Sequence, residues 1–213
     1  MVEMKKGVFI TLEGNDGAGK TTVCMGLKKE LEARGYSVVY TREPGGSKIA
    51  EEIRNILLSD ENENMDPRTE ALLFAASRRQ HLVDIVLPAL QEKKIVLCDR
   101  FVDSSLAYQG YAREIGIPEI WDINQFAIHD CMPQKTIFLK VSMETGQKRM
   151  NQRGEKNRLD NEQSDFHQKV RQGYETLIQM YPDRICVIDA EPEPEVVLKS
   201  ALHEVLKVIQ SYE

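Results

Sequence analysis

The sequence lacks the features that mark several large classes of protein. Its 213 residues include only four cysteines and one tryptophan, and acidic side chains outnumber basic ones to give a net charge of −6. An acidic total argues against a general nucleic-acid binder, because such proteins usually present a basic surface. No stretch approaches the run of about eighteen apolar residues that a membrane-spanning helix needs. We therefore expect a globular protein of the cytoplasm with no nucleic-acid and no membrane partner.

Cysteine and histidine are too scattered to indicate a disulfide framework or a metal site. The four cysteines contain no C-x-x-C pair, and the four histidines have no metal-ligand spacing. We expect the cysteines to be reduced thiols that pack as small apolar side chains, and the histidines to be structural. The residues are Cys24, Cys98, Cys131 and Cys186, and His81, His129, His167 and His203.

Short apolar runs alternate with amphipathic segments along the whole chain. The runs predict buried strands, and the spacing between them is typical of helices. Such alternation indicates a parallel sheet covered by helices on both faces, in which ligands bind beyond the carboxyl ends of the strands. We therefore expect one three-layer α/β domain over residues 1–213. Its five parallel strands are predicted at 8–12, 37–41, 95–98, 136–141 and 185–188.

A long helix is predicted between the second and third strands. Asp66 and Pro67 supply a favourable N-cap and first position. The helical pattern runs to about Leu87, where Pro88 is expected to end or kink the helix.

Residues 14–21 form a glycine-rich turn between the first strand and the first helix. Their sequence, G-N-D-G-A-G-K-T, matches G-x-x-x-x-G-K-[ST]. Glycines let backbone N–H groups turn inward around phosphates, and the following helix adds its positive end. Lys20 supplies a point charge for the β- and γ-phosphates, and the hydroxyl of Thr21 is a Mg²⁺ ligand. The turn, called the P-loop below, predicts a P-loop NTPase fold that binds ATP with Mg²⁺.

Acidic and basic side chains follow the next strands. Asp99 ends the third strand, where P-loop proteins keep the acid that holds Mg²⁺. Arg42 follows the second strand and Arg100 the third. Two nucleotides that meet head to head bring about six negative charges, and phosphoryl transfer is catalysed mainly by positioning and neutralising charge.

A polar stretch at 143–160, called the lid below, is expected to be mobile and to bring three more arginines. These are Arg149, Arg153 and Arg158.

Other classes of P-loop protein suit the sequence less well. A regulatory GTPase needs [NT]-K-x-D and a D-x-x-G after a later strand, and neither occurs. A deoxynucleoside kinase has an acceptor without phosphate, so Arg42 and Arg100 would lack a purpose and a hydroxyl-activating base would be required. A nucleotide-dependent switch without phosphotransfer would not need the arginines of the lid. Both stay open as alternatives.

Several motifs together resemble those of thymidylate kinases, specifically the bacterial form, over nearly the whole chain. The resemblance implies transfer of the γ-phosphoryl group of ATP to dTMP, giving dTDP and ADP for dTTP synthesis, by a homodimer. The motifs are E-G-N-D-G-A-G-K-T-T at 13–22, T-R-E-P-G-G at 41–46, L-F-A-A-S-R-R at 73–79, D-R-F at 99–101, S-S-L-A-Y-Q-G at 104–110, R-G at 153–154 and N-R-L-D at 157–160.

The resemblance implies how dTMP is held. Arg42 and Arg100 grip its phosphate, Asp16 meets the 3′-hydroxyl, and Tyr108 crowds the 2′ position and so favours deoxyribose. At the base, Phe74 is expected to stack on thymine and Arg78 to reach its O4. Ser105 and Gln109 are expected to complete the contacts with the edge of the base. Positions 74 and 78 are also neighbours on one face of a helix.

The resemblance likewise implies the ATP side of the site. The P-loop has no arginine in its N-D-G-A portion, and in the bacterial form this goes with a catalytic arginine in the lid. Arg153 is therefore expected to touch the transferring phosphoryl group, with Arg149 and Arg158 as helpers. Ala190 lies in the loop expected over adenine. The full ATP set is Gly14, Asn15, Asp16, Gly17, Ala18, Gly19, Lys20, Thr21, Thr22, Arg149, Arg158 and Ala190; the catalytic set is Lys20, Arg153, Arg100 and Asp99.

No general base is assigned. A phosphate monoester has a second pKa of about 6, so the acceptor is already an anionic nucleophile at neutral pH. Glu13 is therefore expected to be structural.

Overall fold

The structure is a computed structural model, and it describes residues 2, 4–153 and 157–213, with Arg153 represented by its backbone alone. Five parallel strands within these ranges form one sheet. They are β1 Val8–Glu13, β2 Val38–Arg42, β3 Ile95–Asp99, β4 Lys135–Lys140 and β5 Ile185–Asp189. Their order across the sheet is β2-β3-β1-β4-β5. The predicted α/β fold with a five-stranded parallel sheet is confirmed.

Helices cover both faces of the sheet. In chain order they are α1 Lys20–Ala33, α2 Lys48–Leu58, α3 Pro67–His81, α4 Leu87–Gln91, α5 Val102–Ser105, α6 Ile117–Ile128, α7 Met143–Arg153, α8 Ser164–Met180 and α9 Pro194–Gln210. Two π-helical turns, Leu82–Val86 and Leu106–Ala112, follow α3 and α5 directly.

The two faces of the sheet have separate apolar cores. Leu27 of α1 and Val205 of α9 pack with Ile10 on one face, while Val96 packs with Tyr174 of α8 on the other. Every residue of β1 and β3 is buried. Strands covered on both faces are nearly continuous apolar runs rather than alternating ones, which is why these strands were readable from the sequence.

Pro88 does not end the helical segment that begins at Pro67, but the regular α-helix is interrupted just before it. The chain continues as a π-helical turn at Leu82–Val86 and then as α4 to Gln91. Pro88 occupies the first turn of α4, where a missing N–H interrupts the hydrogen-bond ladder least.

The lid begins with a helix. Ser142 precedes α7, and its hydroxyl accepts a hydrogen bond from the N–H of Thr145 at 3.2 Å, as an N-capping serine does. Residues 154–156 lie outside the described residues, and residues 158–160 form a turn.

The four cysteines are free thiols, as expected, and Cys24 and Cys98 are buried. Among the described residues, no helix combines the length and apolar character that crossing a membrane requires.

Candidate active site

One cavity of about 540 Å³ lies beyond the carboxyl ends of β1, β2 and β3. Chains that follow neighbouring parallel strands meet at this edge of the sheet, so their side chains share one crevice. Most of the predicted site residues line it. They are Asp16, Gly17, Gly19, Lys20, Thr21, Thr22, Arg42, Phe74, Arg78, Asp99, Arg100, Ser105, Tyr108, Gln109 and Arg149.

The P-loop follows a path that only glycine allows at two positions. Gly14 and Gly17 have φ angles of 144° and 79°, in the region that favours glycine. A side chain would also collide, because the carbonyl oxygen of Leu139 lies against Gly14 and the backbone of Gly146 against Gly17. Gly17 thereby lets the P-loop approach α7 closely.

Lys20 is folded back over the P-loop. Its Nζ donates to the carbonyl oxygens of Gly14 at 2.9 Å and Asn15 at 3.0 Å, and its side chain is only 8% exposed. Burial, followed by the charge of Arg100, lowers the pKa of Lys20 from its usual value. An ammonium group that has lost solvation in this way interacts strongly with an anion brought beside it.

Thr21 and Asp99 come together as the sequence predicts for a Mg²⁺ site. The Thr21 hydroxyl donates to Oδ2 of Asp99 at 2.6 Å. Mg²⁺ prefers oxygen ligands and is usually bound through one or two carboxylates, substrate phosphates and several waters. A hydroxyl and a carboxylate in contact beside the P-loop fit that requirement. In the described ranges, no group of three or more acidic, histidine or cysteine side chains is arranged so that it could hold a metal ion.

Arg100 and Asp16 form an ion pair inside the cavity. Arg100 has a left-handed backbone with φ of 70°, uncommon for a residue with a side chain. Its Nη2 donates to Oδ1 of Asp16 at 2.6 Å, and the Tyr108 hydroxyl donates to Oδ2 at 3.0 Å. Burial alone would raise the pKa of Asp16, but Arg100 and Lys20 hold it well below its usual range. Asp16 is therefore a carboxylate at neutral pH.

Arg42 lies beside a second cation that sequence reasoning missed. Arg42 Nη1 and Arg54 Nη1 each donate to the carbonyl oxygen of Pro44 at 2.8 Å. Arg42 also pairs with Glu51 of α2 at 3.0 Å. Both arginines line the cavity. The sequence held one indication of Arg54. It follows Glu51 by three positions, so it shares a helical face with the residue that pairs with Arg42.

Phe74, Arg78, Ser105 and Gln109 line one part of the cavity, called the base end below. Arg78 is only 2% exposed, and its Nη1 donates to Oγ of Ser105 at 3.1 Å. Its Nε donates to Oε2 of Glu43 at 2.8 Å. Asn124 also accepts from Nη1. These bonds, formed among the described residues, use Nε and Nη1, and none of them uses Nη2.

The lid arginines lie in different places. Arg149 lines the cavity, and its Nη1 donates to the carbonyl oxygen of Ala190 at 3.0 Å. The side chain of Arg153 lies outside the described residues. Arg158 does not line the cavity, in contrast to its expected role as a helper at the phosphates. Its guanidinium is buried against the carbonyl oxygen of Leu57 and the carboxylate of Glu70, because that carboxylate needs a cation.

Glu13, at the end of β1, holds the chain that follows β3. Its Oε1 accepts from the N–H groups of Phe101 at 2.7 Å and Ser104 at 3.2 Å. Its Oε2 accepts from the hydroxyls of Ser104 at 2.7 Å and Tyr174 at 2.8 Å. Arg100 Nη1 in turn donates to both hydroxyls at 3.2 Å. Glu13 thus supports the loop that carries Arg100.

We expect Glu13 to give the protein a stability contribution that falls as pH rises. Burial, followed by the charge of Asp103, raises the pKa of Glu13 from 4.5 to about 7. The folded state binds this proton more tightly, so the contribution is complete below pH 4.5 and is lost as pH rises through about 7. It amounts to about 3 kcal/mol. In Glu13→Gln this part of the pH dependence should vanish, measured by urea unfolding across the window.

The exposed Glu195 provides the matched control for that measurement. Glu195→Gln should follow the wild-type pH dependence. Parallel curves for wild type and Glu13→Gln would contradict the raised pKa of Glu13.

Comparison with known proteins agrees with this geometry. A family model described as thymidylate kinase matches residues 12–201. The chain belongs to the thymidylate kinase family. It therefore transfers the γ-phosphoryl group of ATP to dTMP, giving ADP and dTDP, which is the known reaction of thymidylate kinases.

Full-length relatives bear the same description. The chain is 56% identical over 209 residues to a thymidylate kinase of Bacillus velezensis, covering 96% of this chain and 99% of the relative. It is 52% identical over 198 residues to one of Clostridium novyi, covering 92% and 97%. The crystal structure of thymidylate kinase from Ehrlichia chaffeensis superposes with a TM-score of 0.76 at 35% identity, covering 93% of this chain and 98% of that one.

Proposed function

We propose that the cavity holds ATP at the P-loop and dTMP at the base end, with Arg100 where the two phosphate chains meet. The observation that carries this proposal is that one cavity is lined by Lys20, Arg100, Arg42 and the base end together. Cations from three separate strand ends thereby surround one space, which suits two nucleotides brought end to end.

The acceptor is held by its phosphate, sugar and base. Arg42 and Arg100 bind the dTMP phosphate, and Arg54 is a third candidate for the same task because it shares the Pro44 carbonyl with Arg42. Asp16 accepts from the 3′-hydroxyl, and Tyr108 stands at the 2′ position. At the base end, Phe74 stacks on thymine and Nη2 of Arg78 donates to O4.

Thr21 and Asp99 would hold Mg²⁺ on the ATP side. When bound, the ion neutralises charge on the β- and γ-phosphates. Lys20 provides a second positive charge beside the same phosphates. The other P-loop residues contribute backbone N–H groups, and Ala190 contacts the adenine.

The lid completes the site in this proposal. α7 approaches the P-loop at Gly146, and Arg149 ties it to the loop after β5. We propose that residues 143–160 form a mobile lid on the single domain of residues 1–213. Closure would bring Arg153 to the transferring phosphoryl group and exclude water, which would otherwise accept it. Arg158 keeps the end of the lid attached to α3 through Glu70.

The residue assignments are tested by measuring ADP release with ATP and a panel of acceptors. We expect the highest kcat/KM with dTMP, a lower value with dCMP, and negligible turnover with thymidine, which brings no phosphate to Arg42 and Arg100. Activity should require Mg²⁺. Thymidine turnover comparable to that of dTMP would contradict the phosphate-binding role of the arginines, and equal use of dTMP and dCMP would contradict base reading at Arg78.

We further propose that the enzyme is a homodimer of the cytoplasm. Leu72, Arg79 and Val83 follow at helical spacing along α3 and the π-helical turn, and all three are exposed. Arg79 Nη1 donates to the carbonyl oxygen of Ala127 at 3.3 Å, which brings this face beside Phe126. Phe126 is 90% exposed, an unusual state for a phenylalanine.

The proposed location in the cytoplasm rests on the cysteines, because free thiols at all four of them suit a reducing compartment.

Phe126→Glu is expected to separate the dimer. The wild type should sediment with twice the mass of one chain, and the variant should weaken association by about 2 kcal/mol or more, because a charge would be buried at the interface. Val196→Glu, on the exposed part of α9, is the control and should stay dimeric. A monomeric wild type would rule the dimer out.

A further inference from the structure

Glu70 is a fully buried carboxylate that sits directly behind the base end of the cavity. It shares one face of α3 with Phe74 and Arg78, which follow four and eight positions later. Oε1 of Glu70 accepts from Nε2 of Gln109 at 2.9 Å and Nε of Arg113 at 3.2 Å. Oε2 accepts from Nη2 of Arg113 at 3.1 Å and Nη2 of Arg158 at 2.7 Å.

These contacts determine the ionisation of Glu70. Burial alone would raise its pKa, but hydrogen bonds from Arg113, Gln109 and Arg158 lower it below its usual value. An ionised carboxylate can only accept hydrogen bonds. The group of Gln109 that faces Glu70 must therefore be its amide nitrogen, so the contact fixes which way the amide of Gln109 is turned.

Gln109 lines the cavity, and within the described part of the chain its only side-chain hydrogen bond is the one from Nε2 to Glu70. We therefore assign its carbonyl oxygen as the acceptor for a ligand in the cavity. An acceptor at the edge of a pyrimidine suits thymine, which carries a hydrogen on N3. It opposes cytosine, whose N3 is itself an acceptor. Nη2 of Arg78 adds a donor, which suits O4 of thymine and opposes the amino group of cytosine. The two side chains together present the pattern complementary to thymine.

We propose that Glu70 is a positioning residue for selection of the base: it holds the amide of Gln109 with the carbonyl oxygen toward the pyrimidine, so that Gln109 accepts from N3–H and rejects cytosine. This inference rests on the proposed placement of dTMP at the base end. Arg113 and Arg158 keep the carboxylate ionised, and Glu70 acts on the base only through Gln109.

Glu70→Gln tests the proposal, because an amide at position 70 can donate as well as accept and so no longer dictates the orientation of Gln109. We expect the ratio of kcat/KM for dTMP over dCMP to fall by about tenfold or more. The ratio for dTMP over dUMP should not change, since dUMP has the same N3–H and O4 and lacks only the methyl group. If Glu70 had only a structural role, its replacement should change neither ratio or both ratios alike.

Two further variants make the measurement specific. Arg184→Met removes the cation from a different buried carboxylate, that of Asp103 at 2.6 Å, and should keep the wild-type ratio of dTMP over dCMP. Gln109→Leu should lower that ratio by itself. In the Gln109→Leu background, Glu70→Gln should cause no additional change. Thermal unfolding of each variant reports any loss of stability separately.

Each outcome decides between the proposals. A wild-type ratio in Glu70→Gln, with a lowered ratio in Gln109→Leu, would refute the role of Glu70 and leave the base end intact. An equal fall in Arg184→Met would also refute it, because the ratio would then respond to a general loss of stability. An unchanged ratio in Gln109→Leu would refute both base placement and Glu70. If Glu70→Gln does not fold, the same ratios are measured for Glu70→Asp. That variant keeps the charge but places it one methylene further from Gln109.

Discussion

Replacing Lys20 by methionine is expected to lower kcat by about 100- to 1,000-fold, the scale seen when one preorganised charge stabiliser is removed. The ammonium group is buried beside Gly14 and Asn15 and has lost most of its solvation. Its field is therefore weakly screened at the point where phosphate charge develops. Methionine keeps the length and apolar part of the side chain, so the P-loop should keep its path.

The measurement is ADP release at saturating ATP and dTMP, with KM for dTMP determined in parallel. KM for dTMP should change little, because Lys20 belongs to the ATP side. Lys28→Met is the matched control, since Lys28 lies on the same helix and pairs with Glu32 near the surface. Turnover of Lys20→Met within about tenfold of the wild type would remove Lys20 from the mechanism.

Replacing Arg100 by methionine is expected to lower kcat/KM for dTMP by about 1,000-fold, because the proposed arrangement puts Arg100 where the two phosphate chains meet. The change should also destabilise the fold by about 2 kcal/mol at neutral pH, since the carboxylate of Asp16 would lose its shortest ion pair and keep only Tyr108 at 3.0 Å and the more distant Lys20 at 4.0 Å. The depressed pKa of Asp16 contributes stability above pH 3.8 that is lost as pH falls below it. Arg100→Met should remove much of that dependence.

A second substitution separates the two effects of Arg100. Arg100→Met with Asp16→Asn should recover stability, because the carboxylate that lost its shortest ion pair is then replaced by a neutral amide, yet the double variant should stay inactive. Arg171→Met, which removes an arginine paired with Glu175 on α8 at 3.5 Å, controls for loss of positive charge and should behave as wild type. Near-normal kcat/KM in a stably folded Arg100→Met variant would show that the phosphate of dTMP is held without Arg100.

Local patterns were predictable because they depend on neighbours in the chain. β1 and β3 were readable as mainly apolar runs, since a strand covered on both faces carries few polar side chains, here Thr11 and the terminal Glu13 and Asp99. The meeting of Thr21 with Asp99 followed from strand ends that converge at one edge of a parallel sheet. Pro88 was less tractable, because the π-helical turn that precedes it depends on packing against the sheet.

Charged residues paired over long distances were the least predictable. Arg158 was expected at the phosphates, but it lies on Glu70, which is 88 positions away in the sequence. Arg54 was missed because it binds the backbone carbonyl of Pro44, a group that every residue type carries. Such pairings are decided when separate elements are packed together, since a buried charge takes whichever counter-charge the packing brings to it.

The sequence by itself determined the parallel α/β sheet, the P-loop and the resemblance to thymidylate kinases, because strand periodicity and glycine-dependent turns are encoded within a few residues. Only the tertiary structure decided which way Gln109 faces and where Arg158 binds. Both depend on the carboxylate of Glu70, which becomes a buried anion, and so requires specific donors, only after α3, the π-helical turn at Leu106–Ala112 and the end of the lid have packed around it.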